Sequence, residues 1–247
     1  MRDFMTAPLG YIDMRMYCGI FREYTPYSIK LNWRGEPLLH KQLPYLIRIA
    51  KDRGVHEVSL NTNGQLLTKD IAQRLANAGL DWLIISVDGV YKDTYESIRI
   101  GGDFNLLIQN IINTRMLYDS IKDSPKIRLQ ICKQPCNENE LDTWTNFFKK
   151  FADKLRIGNL FDPQGKRGLR VTQPKSCNQL WQRLTISWEG NILPCPSDYM
   201  EQYKLGNIKD TLIYDAWHSH QLNYYRNTLS MYGRQALGLC SKCSSYC

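Results

Sequence analysis

At 247 residues, 43% of them hydrophobic and 23% charged, the chain is composed like a globular protein with one core and a smaller appendage, and it holds no apolar run near the roughly 20 residues a membrane helix needs. Its formal net charge of +8 is spread widely, denser only at Lys166, Arg167, Arg170 and Lys175; without a basic stripe or a recognisable module this does not point to nucleic acid. Eight cysteines, behind an N-terminus whose charges and proline do not make a secretory signal, suit a cytoplasmic protein with metal-bound thiols better than a disulfide framework.

In chain order, "SIKLNW" (28–33) predicts a buried strand and "LHKQLPYLIRIAKDRG" (39–54) an amphipathic helix, and "HEVSLNT" (56–62) with "LTKDIAQRLANAG" (67–79) repeats the pair. "WLIISV" (82–87) is followed by the helix "FNLLIQNIINTRMLYDSI" (104–121), "KIRLQI" by the helix "NELDTWTNFFKKFADK" (139–154), and "KLRIGNL" (154–160) closes the series. This alternation predicts a parallel α/β sheet, flat or curved into a barrel, within a first domain spanning 1–162.

Near 161 the texture changes, and "FDPQGKRGLRVTQPKSC" reads as a linker into a second domain, 163–247. "LTISWEGNILPC" predicts a hairpin turning at Glu189, Gly190 and Asn191, and "TLIYDAWHSHQLNYYRNTL" (211–229) predicts a helix. Cys177 precedes the hairpin, Cys195 follows it, and Cys240 and Cys243 form a C-x2-C knuckle after the helix. Four thiols with no histidine beside them suit zinc or an iron–sulfur cluster, and spacing does not choose between the two. Cys247 reads as a terminal thiol outside the set. Cys132 and Cys136 do not complete a second site by themselves, and Cys132 and Cys18 read as buried structural cysteines.

Ligands of parallel α/β proteins gather beyond the C-terminal ends of the strands. There "RGEPLL" supplies Gly35, which permits close backbone approach, and Glu36, a carboxylate suited to an ammonium group, followed by Pro37. "TNG" supplies Thr62 and Asn63, and "SVDG" supplies Ser86 and Asp88 ahead of "YESIR" with Arg99. Taken singly, each is a turn or a helix cap. Their recurrence at successive strand ends predicts one shared cleft.

The stretches "IKLNWRGEPLL", "VSLNTNGQLL" and "LIISVDGVYKDTYESIR", followed by C-x12-G-x4-C, "LGNI", "DAW" and C-x2-C, resemble the radical S-adenosylmethionine (SAM) enzymes with a SPASM or twitch-type C-terminal domain. The resemblance implies a partial (β/α)6 TIM-like barrel missing its first strand, with a small α+β cysteine-rich domain behind it. It implies that Glu36, set in the Gly35-Glu36-Pro37 motif, binds the SAM amino group, that Ser86 and Arg99 hold the SAM carboxylate, and that Thr62, Asn63 and Asp88 line the pocket. Cys177, Cys195, Cys240 and Cys243 would hold one auxiliary [4Fe–4S] cluster for electron transfer. The family's C-x3-C-x2-C loop, whose cluster cleaves SAM to a 5′-deoxyadenosyl radical, has no counterpart in the sequence. An N-terminally truncated enzyme, or a relative without the radical chemistry, is therefore expected, with this chain inactive by itself. The complete enzyme would abstract hydrogen from a peptide, protein or sugar-like substrate, with flavodoxin or ferredoxin as electron donor and without a membrane. Two other classes fit part of the pattern: a SAM-binding scaffold that makes no radical, and a non-catalytic zinc-binding module, which leaves Glu36 and Arg99 unexplained.

Overall fold

The computed structural model describes residues 9–160 and 177–243; the expected linker at 161–176, with its basic residues, and Cys247 lie outside the described residues. The chain divides into two compact units, one from Pro26 to Leu160 and one joining residues 9–25 to 177–243. A short helix, α1 (Met14–Gly19), comes first, followed by β1 (Ser28–Lys30), α2 (Leu43–Asp52), β2 (Glu57–Thr62), α3 (Lys69–Asn77), β3 (Trp82–Ser86), α4 (Lys92–Ile98), α5 (Phe104–Asp119), β4 (Lys126–Lys133), α6 (Leu141–Phe148) and β5 (Lys154–Asn159).

The five strands form one parallel sheet in the order β1-β2-β3-β4-β5, each beside its neighbours in sequence, so the fold is α/β as expected. Side chains alternate between its faces. Val58, Leu60, Leu83, Ile85, Ile127 and Leu129 are fully buried on the face where Ile85 and Leu107 of α5 close around Gly64. Register places Trp82 beside Lys126, Ile84 beside Arg128 and Ser86 beside Gln130 on the opposite face. Two aspartates fasten the strand starts in equivalent ways. Asp81 Oδ2, just ahead of β3, accepts from the Val58 N–H at 2.7 Å, and Asp153 Oδ2, just ahead of β5, accepts from the Ile127 N–H at 2.7 Å.

β1 is shorter than the sequence suggests, because the Asn32 side chain takes over from the backbone: its Oδ1 accepts from the Asn61 N–H at 2.8 Å. The expected helix 39–54 is a 3-10 turn at Pro37–Leu39 followed by α2, with a proline in the first turn of each. α4 was not anticipated by periodicity, being only seven residues long.

In the other unit come α7 (Gln179–Gln182), β6 (Thr185–Ile186), β7 (Asn191–Leu193), β8 (Gly206–Asn207), α8 (Ile213–His218) and α9 (His220–Tyr232). The hairpin forms as expected, with Thr185 opposite Leu193 and Gly190 in the left-handed region at φ +87°. β8 adds an unanticipated third strand beside β7. The single helix expected over 211–229 is two: Ser219 has an extended ψ of 147°, and its hydroxyl accepts from the Leu222 N–H at 3.2 Å to cap α9. Residues 9–25 pack here, with Met16 and Ile20 against Ile192, Ile208 and Ala216 and Arg22 donating to the carbonyls of Ile208 and Lys209. No helix among the described residues is long and apolar enough to cross a membrane.

Candidate functional site

At the C-terminal end of β2 the Glu36 carboxylate is clasped from three directions. Oε1 accepts from the Thr62 hydroxyl at 2.6 Å and from the Leu38 N–H at 3.1 Å, while Oε2 accepts from the Asn63 N–H at 2.8 Å. Pro37 starts the 3-10 turn that Glu36 caps. Gly35 has φ +87°, and a Cβ added there would meet nothing within 4 Å; its role in this structure is the backbone turn rather than a close approach. Thr62 Oγ1 also accepts from the Gly64 N–H at 3.0 Å, and Asn63 Oδ1 accepts from the Gln65 N–H at 2.9 Å. The buried Asn110 of α5 donates to the Gly64 carbonyl at 2.9 Å, tying the loop to the helix layer.

Ser86 sits in a second group. Its hydroxyl donates to Asn61 Oδ1 at 3.2 Å and accepts from Gln130 Nε2 at 3.2 Å, so a polar row crosses β2, β3 and β4 near their ends. Asp88 and Arg99 form a third. Asp88 Oδ2 accepts from Arg99 Nε at 2.7 Å and Nη2 at 2.6 Å, and its Oδ1 accepts from the Cys132 N–H at 2.8 Å. Asn137, fully buried, donates to the Asp88 and Cys132 carbonyls at 3.0 Å each. Buried Glu140 accepts from the Val90 N–H at 3.0 Å and from the Thr94 hydroxyl, fixing the start of α4 and with it Arg99 at its end. The structure thus joins Glu36 to Thr62 and Asn63, joins Asp88 to Arg99, and sets Ser86 with Asn61 and Gln130. Asn61, Gln130, Asn137 and Glu140 escaped the sequence reading; the polar run "NENE" after β4 was the one local signal for the last two.

The four C-terminal thiols lie together. Cys195 is buried in a core with Leu180, Leu222, Leu229 and Leu237, against which Cys177 and Cys240 pack. The Cys240 thiol is pushed up to about 12, first by burial and then by Cys195, Cys177 and Cys243, with the Arg234 charge opposing. The Ser197 N–H donates to Cys195 Sγ at 3.4 Å, and Cys243 Sγ bonds the Ser197 hydroxyl at 3.7 Å. Yet no three Cys, His, Asp or Glu side chains among the described residues converge closely enough to hold one metal ion. Clustered thiols with no histidine beside them suit a soft metal centre, zinc or an iron–sulfur cluster, and an N–H directed at sulfur suits a thiolate ligand. Away from this group, Cys132 and Cys18 are half-buried rather than buried, and Cys136 is exposed.

Comparison with known proteins matches residues 34–122 to the radical SAM superfamily and residues 177–244 to SPASM, an iron–sulfur cluster-binding domain. The GTP 3′,8-cyclase of Clostridium botulinum (strain Langeland) is 34% identical over 179 residues, covering 72% of this chain and 53% of that protein. The match therefore spans about half the length of that protein. Among solved structures, BtrN in complex with AdoMet and 2-DOIA superposes with a TM-score of 0.66 at 19% identity, covering 96% of this chain and 82% of BtrN. The native anSMEcpe with bound AdoMet and Kp18Cys peptide superposes with a TM-score of 0.64 at 16% identity, covering 95% and 81%. At these identities the two solved structures share a fold with this chain.

Proposed function

Because the chain belongs to the radical SAM superfamily and carries a SPASM iron–sulfur cluster-binding domain, we propose that it serves a SAM-dependent oxidoreductase or maturase that removes a hydrogen atom from a peptide or sugar-like substrate. The barrel-like part, 1–162 by sequence, would bind SAM, and the cysteine-rich part, 163–247, would carry an auxiliary [4Fe–4S] cluster that passes electrons, with a flavodoxin or ferredoxin as donor. The name of the curated relative adds a nucleotide to the substrates worth assaying.

The observation that carries this reading is the clasp on Glu36. Three donors orient both of its oxygens, and one lone-pair position on Oε2 stays available for the SAM ammonium. Arg99 spends Nε and Nη2 on Asp88 and keeps three N–H donors for the SAM carboxylate, and the Ser86 hydroxyl would join it on turning its one proton away from Asn61 Oδ1. SAM, bound beside the family's reducing cluster, supplies a 5′-deoxyadenosyl radical for hydrogen abstraction. Ligands for that reducing cluster in the C-x3-C-x2-C form do not occur within these 247 residues. Cys177, Cys195, Cys240 and Cys243 would hold the auxiliary cluster with no open iron position, so these thiolates exclude substrate from the metal.

Anaerobic reconstitution followed by SAM titration in a calorimeter tests both parts. About four irons per chain are expected, with SAM affinity falling at least ~10-fold in Glu36→Gln and unchanged in Lys122→Ala. Stoichiometric zinc that iron does not replace, or equal SAM affinity in Glu36→Gln, would overturn the assignment.

A further inference from the structure

The open face of the sheet carries charge that the SAM reading does not use. Register puts Arg128 of β4 beside Lys154 of β5, and Gln130 beside Arg156, so Lys126, Arg128, Lys154 and Arg156 point to the same side as Trp82. Within the five strands Glu57 is the one carboxylate. The side chains of Arg128 and Arg156 make no ion pair and no hydrogen bond among the described residues, and Arg128 Nε is buried without a partner. The Trp82 ring lies under the Arg128 guanidinium with 5.7 Å to its centroid.

Arg128, half-buried over an indole with its Nε unmatched and the exposed Arg156 on the neighbouring strand, is costly for the free protein. Burial and the Arg156 charge both lower the Arg128 pKa, and Glu57 only partly offsets them. Two other half-buried arginines of this unit are paired with carboxylates, Arg99 with Asp88, and Arg115, whose Nε is also unmatched, with Asp119 and Asp153. A guanidinium is the group whose planar fork fits an oxyanion in two parallel bonds. A buried, unmatched donor is the ordinary mark of a missing partner.

We propose that Arg128 and Arg156 form an oxyanion-binding site on the open face of the sheet, receiving a carboxylate or phosphoryl group of the substrate, with Trp82 as the apolar floor beneath Arg128. The proposal deepens the reading of a SAM-dependent enzyme and names the chemistry of its substrate as anionic. It also gives the Gln130 row a place in the site, since Gln130 lies on β4 between Ser86 and Arg156.

The test uses the full chain, reconstituted with iron. Pyrophosphate and succinate are titrated separately at constant ionic strength, and SAM is titrated into the same preparations. Saturable binding of at least one anion is expected, pyrophosphate identifying a phosphoryl site and succinate a carboxylate site. Affinity should fall at least tenfold in Arg128→Gln and in Arg156→Gln, fall less in Arg128→Lys, and stay unchanged in Lys149→Gln. SAM affinity and iron content should be unaffected, which separates failure of this site from failure of the SAM reading. The melting temperature of anion-free Arg128→Gln should equal or exceed that of the parent, because the substitution relieves repulsion; a structural arginine gives a lower one. If neither anion saturates, if the glutamine variants bind as tightly as the parent, or if Arg128→Gln melts lower without anion, the site is refuted.

Discussion

Thr62 gives its proton to Glu36 and takes one from the Gly64 N–H, at 2.6 and 3.0 Å. Thr62→Val keeps the shape and removes both bonds, leaving a buried N–H unmatched. A loss of about 1–3 kcal/mol is expected, read as a lower urea midpoint, together with weaker SAM binding. An unchanged affinity would show that the hydroxyl does not set the carboxylate's position. At this scale the sequence singled out Glu36, Thr62, Asn63 and Asp88 because they lie at or just beyond strand ends, which are easily found, and Arg99 through the run that follows "SVDG"; the structure joins them in two hydrogen-bonded groups. The sequence concealed Asn61 and Gln130, because a polar residue on the open face of a strand looks like any other alternating position. Their partner Ser86 is distant in sequence, and only the register reveals the row.

The hairpin between β6 and β7 shows how an element is fixed by one position. A Cβ on Gly190 would come within 2.9 Å of Asn207 Oδ1 and of Met16 Sδ, and the backbone there is left-handed. Gly190→Ala is expected to cost about 1–2 kcal/mol from conformation alone, with crowding added. Thermal unfolding should show this, and iron content should fall while SAM affinity holds. Equal losses of iron and SAM would mean that the two sites are not independently supported. The hairpin was legible because its turn is marked by Gly190. The division at Ser219 was not, because "TLIYDAWHSHQLNYYRNTL" keeps its apolar spacing across the break and a serine inside a helix is unremarkable until its hydroxyl is seen on the next N–H.

Across the whole molecule, the parallel sheet presents β1 and β5 as its two ends. Among the described residues no strand lies beyond β5, which leaves Ile157 47% exposed, and an unpaired edge with apolar side chains is a template for association. Light scattering of the isolated chain should report dimers or larger species; a monomer at all concentrations would remove the argument. The chain by itself should also form no 5′-deoxyadenosine from SAM under dithionite, no more than its Arg99→Ala variant, since it holds no C-x3-C-x2-C ligand set. Turnover above that control would locate a reducing cluster among cysteines read here as structural. The parallel α/β class was readable from strand–helix alternation. The membership of residues 9–25 in the second unit was not, since α1 has six residues and its contacts are with residues close to the far end of the chain.

That packing of residues 9–25 on a segment far downstream has a consequence for the order of events on the ribosome. The sheet can grow strand by strand, because each strand meets the one made just before it. Residues 9–25 are made before the sheet but have nothing to pack on until Ile192, Ile208 and Ala216 have emerged, so they fold after the sheet that follows them in sequence. Closing so long a loop is entropically expensive and slow. During that interval Met16 and Ile20 stay exposed, which is when a chaperone would find them.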